Sequence, residues 1–311
     1  MKHFIIDCIL FVIVLSCILV FMGFVNNEGS AKDLYVKAFY DKEQLVKHYK
    51  GIPRIIFIGG SNLAFGIDTE EFIKQTGKEV INLGLHAGLG LKLSLDTYSP
   101  YIKDSDIVVV APEYAHFFGE AAYGEESIMG QLPYVTNSCN YLETCNYQQW
   151  KNVLTGYPMQ TVKYFIKGFV DYGKNKKSKF VYKRSGINSY GDEITHLYLS
   201  PEKEGFIGEK ISKPFNEDYF AYFTKQIYNL KIKGVRVLII PPATCIDNYV
   251  KNKVEILYLI KRLEDYEWYG KPEMFAYKNT YIYNTPYHLN RQGRMLNTKR
   301  ILALLKMEGV Y

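Results

Sequence analysis

Few side chains in this sequence have the types and spacing to do chemistry. Ser61 stands in Arg54-Ile-Ile-Phe-Ile-Gly-Gly-Ser-Asn-Leu-Ala-Phe-Gly66, directly after a short apolar run. His288 stands near the other end of the chain, in Asn284-Thr-Pro-Tyr-His-Leu-Asn290. A serine hydroxyl is a poor nucleophile near neutral pH and needs a neighbouring imidazole to take its proton. That imidazole is usually oriented by a carboxylate on its other nitrogen. Backbone amides in glycine turns, such as those of Ser61 itself and Gly88, suit the oxyanion of a tetrahedral intermediate. Without chemistry, Ser61 is a turn serine capping the next helix, or part of a dinucleotide-type glycine loop. The loop reading is weak, because the stretch lacks both G-x-G-x-x-G and a P-loop lysine.

Serine and histidine can meet only if the fold brings them to one edge. Ile55 to Ile58, between Pro53 and Gly59, reads as a central strand. Gly59 and Gly60 carry no Cβ and allow a sharp turn. Ser61 then falls at the carboxyl end of that strand, where open α/β sheets place their ligands. Glu79–Leu85 reads as a second strand ending in the turn His86-Ala-Gly-Leu-Gly90, and Leu91–Lys103 as a helix. Asp106–Pro112 is a near-continuous apolar run, the pattern of a strand covered on both faces. Strand and helix alternate three times in about 65 residues, which predicts a parallel sheet with crossover helices.

Regularity lapses over 117–214, a region rich in Tyr, Gly and Asn with a basic run at Lys174–Lys179 and one helix over Met159–Tyr172. An insertion of that size reads as a lid or substrate platform. Its polar cluster Ser189-Tyr-Gly-Asp-Glu-Ile-Thr-His196 is a candidate for substrate contact. The α/β rhythm returns with a helix over Asn216–Lys233, a strand over Val235–Pro242 and a long helix over Asp247–Tyr266. A short strand at Tyr281–Tyr283 then leads into the His288 loop and a closing helix from Arg291 to about Met307.

The chain has 311 residues, 48% apolar and 23% charged, a globular balance with room for an anchor and one large domain. A net charge of +6 from scattered lysines is no nucleic-acid footprint. Its 28 tyrosines suit sugar surfaces and packed cores equally. Cys8 to Val25 is an uncharged run long enough to span a bilayer, and no small-residue cleavage pattern follows it. The expected organisation is an uncleaved anchor over 1–25, with a cleaved signal as the lesser alternative, a stalk over 26–52 with a helix at Leu34–Tyr49, and a domain over 53–311. An anchor so close to the start most simply places that domain outside the cytoplasm. Cys139 and Cys145 are spaced either to close a small loop in an oxidising compartment or to stand as free thiols. No Cys/His spacing suits zinc.

Three blocks resemble the SGNH (GDSL-type) hydrolases. Gly59-Gly-Ser-Asn62 with Phe65-Gly66 is similar to the first block, Asn82-Leu-Gly84 through Gly88 to the second, and Tyr287-His-Leu-Asn290 to the last. The resemblance covers roughly 53–116 and 216–307. It extends to membrane-anchored relatives similar to the teichoic acid D-alanyl transfer protein, which act on cell-envelope polymers. It implies a flavodoxin-like three-layer sandwich with Ser61 as nucleophile, His288 as base and Gly88, or Gly84, as oxyanion donor, with no metal or organic cofactor. The chain departs from the pattern twice. Where the third block carries an asparagine, it has Pro112-Glu113-Tyr114, leaving Asn62 or Glu113 to supply the missing donor. Where an aspartate precedes the histidine, it has Asn284 and Thr285, with Glu113 as a substitute acid.

Two functions follow from the sequence. One is an anchored serine esterase or O-acyltransferase acting on ester-linked acyl groups of an envelope polysaccharide. The other is a catalytically degraded module of the same fold that binds a polysaccharide or an assembly partner.

Overall fold

The computed structural model describes residues 2–48, 50–172, 181–201 and 208–311. Four strands, β1 (Arg54–Gly59), β2 (Glu79–Asn82), β3 (Ile107–Ala111) and β4 (Arg236–Ile239), form a parallel sheet in the order β2-β1-β3-β4. Successive residues of a strand point to opposite faces, so strands that are apolar throughout require cover on both sides. Ile56, Ile58, Val108 and Val110 belong to one buried core, and Ile55, Phe57 and Val109 to a second.

The α-helices of the described residues, in chain order, are α1 (Lys2–Glu28), α2 (Ala38–Lys47), α3 (Ser61–Ala64), α4 (Thr69–Thr76) and α5 (Leu91–Tyr98). Then come α6 (Glu126–Met129), α7 (Ser138–Glu143), α8 (Tyr147–Tyr172), α9 (Glu217–Ile232), α10 (Ile246–Lys251), α11 (Lys253–Leu263) and α12 (Arg291–Met307). Phe39 of α2, Leu95 of α5, Phe223 of α9 and Leu259 of α11 fill the first core. Phe72 of α4 with Ile301 and Leu305 of α12 fill the second. Two short strands, β5 (Thr244–Cys245) and β6 (Ala276–Tyr277), pair apart from the main sheet.

The amino end of β1 is fixed by a buried ion pair. Arg54 donates through Nε to Asp106 Oδ1 at 3.1 Å and through Nη2 to Oδ2 at 2.6 Å. Its other donors reach the carbonyls of Val46 and Tyr101 at 2.7 and 3.1 Å. One side chain thus joins α2, β1 and the approach to β3.

Several expectations need correction. Residues 26–52 are not a stalk, because Val36, Phe39 and Val46 are buried in the main core. Lys42 and Glu43 of this segment are buried with partners. Lys42 Nζ donates to the Asn82 carbonyl at 2.8 Å, and Glu43 accepts from Tyr141 at 2.6 Å. The helix expected over Asp247–Tyr266 is two, α10 and α11, divided at Asn252, whose side chain accepts from the Ile211 amide at 2.7 Å. The strand expected at Tyr281–Tyr283 is a single turn of 3₁₀ helix followed by one antiparallel bridge between Ile282 and Leu289. Helix α8 starts twelve residues before the expected Met159 and carries Pro158 in its interior. The basic run Lys174–Lys179 lies outside the described residues. All five cysteines are free, Cys139 and Cys145 included. Helix α1 is long and apolar enough to cross a membrane, and its most apolar stretch is almost wholly exposed.

Candidate active site

Ser61 is the first residue of α3, with Gly60 as its extended N-cap. Register pairs Gly59 of β1 with Ala111 of β3, so Ser61 and Glu113 each lie two residues past adjacent strand ends. Ser61 Oγ donates to Glu113 Oε1 at 3.3 Å. A Cβ on Gly60 would come within 2.5 Å of the same oxygen, so the carboxylate's position requires glycine there. Asn62 pins the turn at both ends of its amide. Its Oδ1 accepts from the Gly60 amide at 3.1 Å, and its Nδ2 donates to the Ala111 carbonyl at 3.1 Å.

Glu113 is only 7% exposed. Burial raises its pKa to about 7, against the opposing pull of the Asn62 amide and the Ser61 hydroxyl and amide. Near neutrality this carboxyl therefore populates both the acceptor-only and the donor form.

The expected oxyanion donors are already engaged. Gly84 donates its amide to Asn82 Oδ1 at 3.0 Å, and Gly88 donates its amide to His86 Nδ1 at 3.0 Å. Burial lowers the His86 pKa to about 4, so its ring is neutral and free to accept.

His288 lies in the turn ahead of α12. Its ring stacks on Phe65 with centroids 3.9 Å apart and planes 5° from parallel. Phe65 is the C-cap of α3, four residues after Ser61, so one helical turn joins the histidine's seat to the serine. Nδ1 lies 2.8 Å from Asn284 Oδ1 and 3.3 Å from the Tyr182 hydroxyl. Asn284 Nδ2 donates to that same hydroxyl at 2.9 Å. An amide oxygen can only accept, so Nδ1 carries the proton and Nε2 keeps its lone pair. Burial, then His86 and His196, lower the His288 pKa well below the usual imidazole value. Among the described residues no hydrogen bond joins His288 to Ser61, and no carboxylate hydrogen-bonds its ring.

The site therefore has two halves, Ser61 with Glu113 and His288 with Asn284, joined through Phe65. Sequence reasoning missed Tyr182 and Phe65. The four-residue step from Ser61 to Phe65 could have found the second, since such residues share a helix face. Nothing distinguishes Tyr182 from the other tyrosines. The polar cluster 189–196 is largely internal bracing. Asp192 accepts from Thr69 Oγ1 at 2.6 Å, Asn82 Nδ2 at 2.8 Å and Arg294 Nη2 at 2.8 Å. Among the described residues no group of three or more His, Cys, Asp or Glu side chains is arranged to hold a metal ion. A surface cavity of about 650 Å³ opens beside β2, lined by Lys78, Glu79 and Ile81 with Gln44 and Leu45 of α2, and Ser61 is not part of it.

Comparison of the chain with family models, curated proteins and solved structures finds no match.

Proposed function

We propose that this protein is a membrane-anchored serine esterase or O-acyltransferase of the SGNH kind. Its substrate would be the ester-linked acyl groups of a cell-envelope polysaccharide, handled by a domain outside the cytoplasm. The observation that carries the reading is a neutral histidine whose Nδ1 is tied to Asn284 and Tyr182, stacked one helical turn from a serine at a strand's carboxyl end. The strand order β2-β1-β3-β4 with both faces covered supports a flavodoxin-like frame.

In this mechanism Ser61 Oγ attacks the acyl carbon while His288 Nε2 takes its proton. The alkoxide leaving group receives that proton as the tetrahedral intermediate collapses to an acyl-enzyme. Water or a sugar hydroxyl then resolves the ester by the same path in reverse. Protonated Glu113 donates to the oxyanion in place of the third block's asparagine, as a carboxylic acid kept neutral by burial can. Asn284 holds the imidazole but brings no charge to the imidazolium, so turnover is slow by the standard of a full triad.

A second reading, a binding module with a degraded site, draws support from the absence of a carboxylate on His288 and the engaged amides of Gly84 and Gly88. Labelling of the full chain with a serine-directed fluorophosphonate, beside Ser61→Ala and His288→Ala, separates the two. Labelling lost in both variants supports the enzyme. A folded wild type that takes no label, alone or with acylated envelope glycan present, sinks that reading in favour of the module.

A further inference from the structure

Helix α8 has its polarity reversed over its second half. A helix on a globular surface turns its apolar stripe to the core and its polar face to water. Here Gln160 and Thr161 are buried, while Met159 is 62%, Ile166 58% and Phe169 70% exposed. Val162 and Val170 are exposed with them. The spacing 159, 162, 166, 169, 170 puts these side chains on one face. The first half is mixed, with Tyr147 and Leu154 exposed as well. Gln149, Asn152 and Val153 are buried, and Gly156 packs backbone to backbone against Gly130. Pro158 marks the junction.

The exposed half adjoins the end of α1. Asn26 Nδ2 donates to the Thr161 carbonyl at 2.8 Å, and Ser30 Oγ donates to the Tyr164 carbonyl at 2.7 Å. Beside these contacts Phe21, Phe24 and Val25 of α1 are exposed. A cleft of about 490 Å³ separates the helices, lined by Val25, Gly29, Phe165, Gly168 and Phe169. The apolar surface of α8 is thus continuous with that of the helix able to span a bilayer, at the level where a span leaves the hydrocarbon. Lys163 and Lys167 are exposed on the same half, the charge that suits anionic headgroups.

We infer that the second half of α8 is a membrane-binding surface, lying in the interface of the bilayer that α1 crosses with residues 159–170 set into the acyl boundary. The occupant of this face is lipid. The consequence is a domain held at fixed height by two attachments, so that its substrate must be presented at the membrane surface. The inference rests on α1 being in the bilayer and is independent of the chemistry at Ser61.

The test uses the full chain in vesicles containing anionic lipid, with and without brominated acyl chains, and single tryptophan variants read by the emission they add to the wild type. Phe169→Trp and Val162→Trp report on α8, Phe21→Trp on α1, and Tyr228→Trp on the exposed face of α9. The expected result is loss of about half the added emission at 169, 162 and 21 in brominated vesicles, with 228 unchanged, as for side chains roughly 5–10 Å into the interface. Quenching at 21 but not at 169 or 162 overturns the inference, because α1 would then span while α8 stayed in water or against another protein copy. Absence of quenching at 21 as well overturns it at its premise.

Discussion

The two halves of the candidate site divide charge in an unusual way. On the serine side a hydroxyl faces a buried carboxyl, Glu113, whose pKa sits at about 7. On the histidine side a buried, neutral imidazole is held by an amide and a phenol. A conventional triad places its carboxylate behind the histidine, where it stabilises the imidazolium. Here the carboxyl stands beside the nucleophile and the histidine's support is uncharged. If the site is catalytic, proton uptake by His288 is costly and pH dependence is set on the serine side.

The largest effect should come from breaking the pairing outright. If Ser61 and His288 work as one unit, Ser61→Ala and His288→Ala should each lower turnover by about 10²-fold or more, less than a full triad loses because the carboxylate's share is already missing, with the double variant little worse. Esterase or acyl-transfer rates for the three proteins would check this. Additive losses would mean that the two halves do not cooperate.

Next in size is the charge at Glu113. From pH 4.5 to about 7 the folded chain holds the Glu113 proton that the unfolded chain has released. The folded state binds more protons there, so stability is greatest below that window and falls as pH rises through it. The shift corresponds to about 3 kcal/mol. Glu113→Gln should therefore be the more stable protein at pH 8 by up to that amount, with no advantage at pH 4. Glu193, whose pKa burial also raises to about 7, adds a slope in the same window, and the difference between wild type and variant removes it. Denaturant titrations at pH 4, 6 and 8 would measure this. Activity should fall above pH 7 in the wild type, as a charged carboxylate meets the oxyanion, and flatten in the variant.

The two sides were also unequally legible. Ser61 and Glu113 follow apolar runs that could only be buried parallel strands, and pairing Gly59 with Ala111 then makes the two residues neighbours. The closing helix was readable to the residue, since Asn290 caps Gly293 at 3.0 Å ahead of an amphipathic run. Asn284 was readable by its distance from His288. Tyr182 was not, because its role depends on a contact across 102 residues. The misread stalk failed for a related reason. Lys42 and Glu43 look solvated until a carbonyl and a tyrosine from distant segments satisfy them. Local pattern reports burial of apolar groups well and burial of paired polar groups poorly.

Restoring the missing charge sharpens the contrast from the other direction. Asn284→Asp places a carboxylate 2.8 Å from Nδ1 in the amide's position. It should raise the His288 pKa and increase turnover, on the order of tenfold. The gain is smaller than a triad's full value because the new charge is half-buried and the Tyr182 hydroxyl loses a donor. A pH–rate profile for the variant should show its acidic limb at higher pH than in the wild type. An unchanged rate and profile would mean that His288 never takes up a proton during turnover.

The smallest change addresses the phenol. In Tyr182→Phe, Asn284 Nδ2 loses its 2.9 Å acceptor while Asn284 Oδ1 keeps its bond to the imidazole. An unpaired amide donor costs roughly 1–3 kcal/mol where it stays buried. The Asn284 amide then has reason to rotate and present nitrogen to Nδ1, which would move the imidazole proton to Nε2, the nitrogen needed as base. Turnover should fall several-fold, about 3- to 10-fold, through kcat rather than KM, as expected for a residue that acts through the histidine. Asn284→Asp combined with Tyr182→Phe should recover most of that loss, since a carboxylate holds the Nδ1 proton in either orientation. If the double variant is as slow as Tyr182→Phe alone, the tyrosine acts through packing against Phe65, at 5.9 Å between ring centroids, and not through the histidine's tautomer.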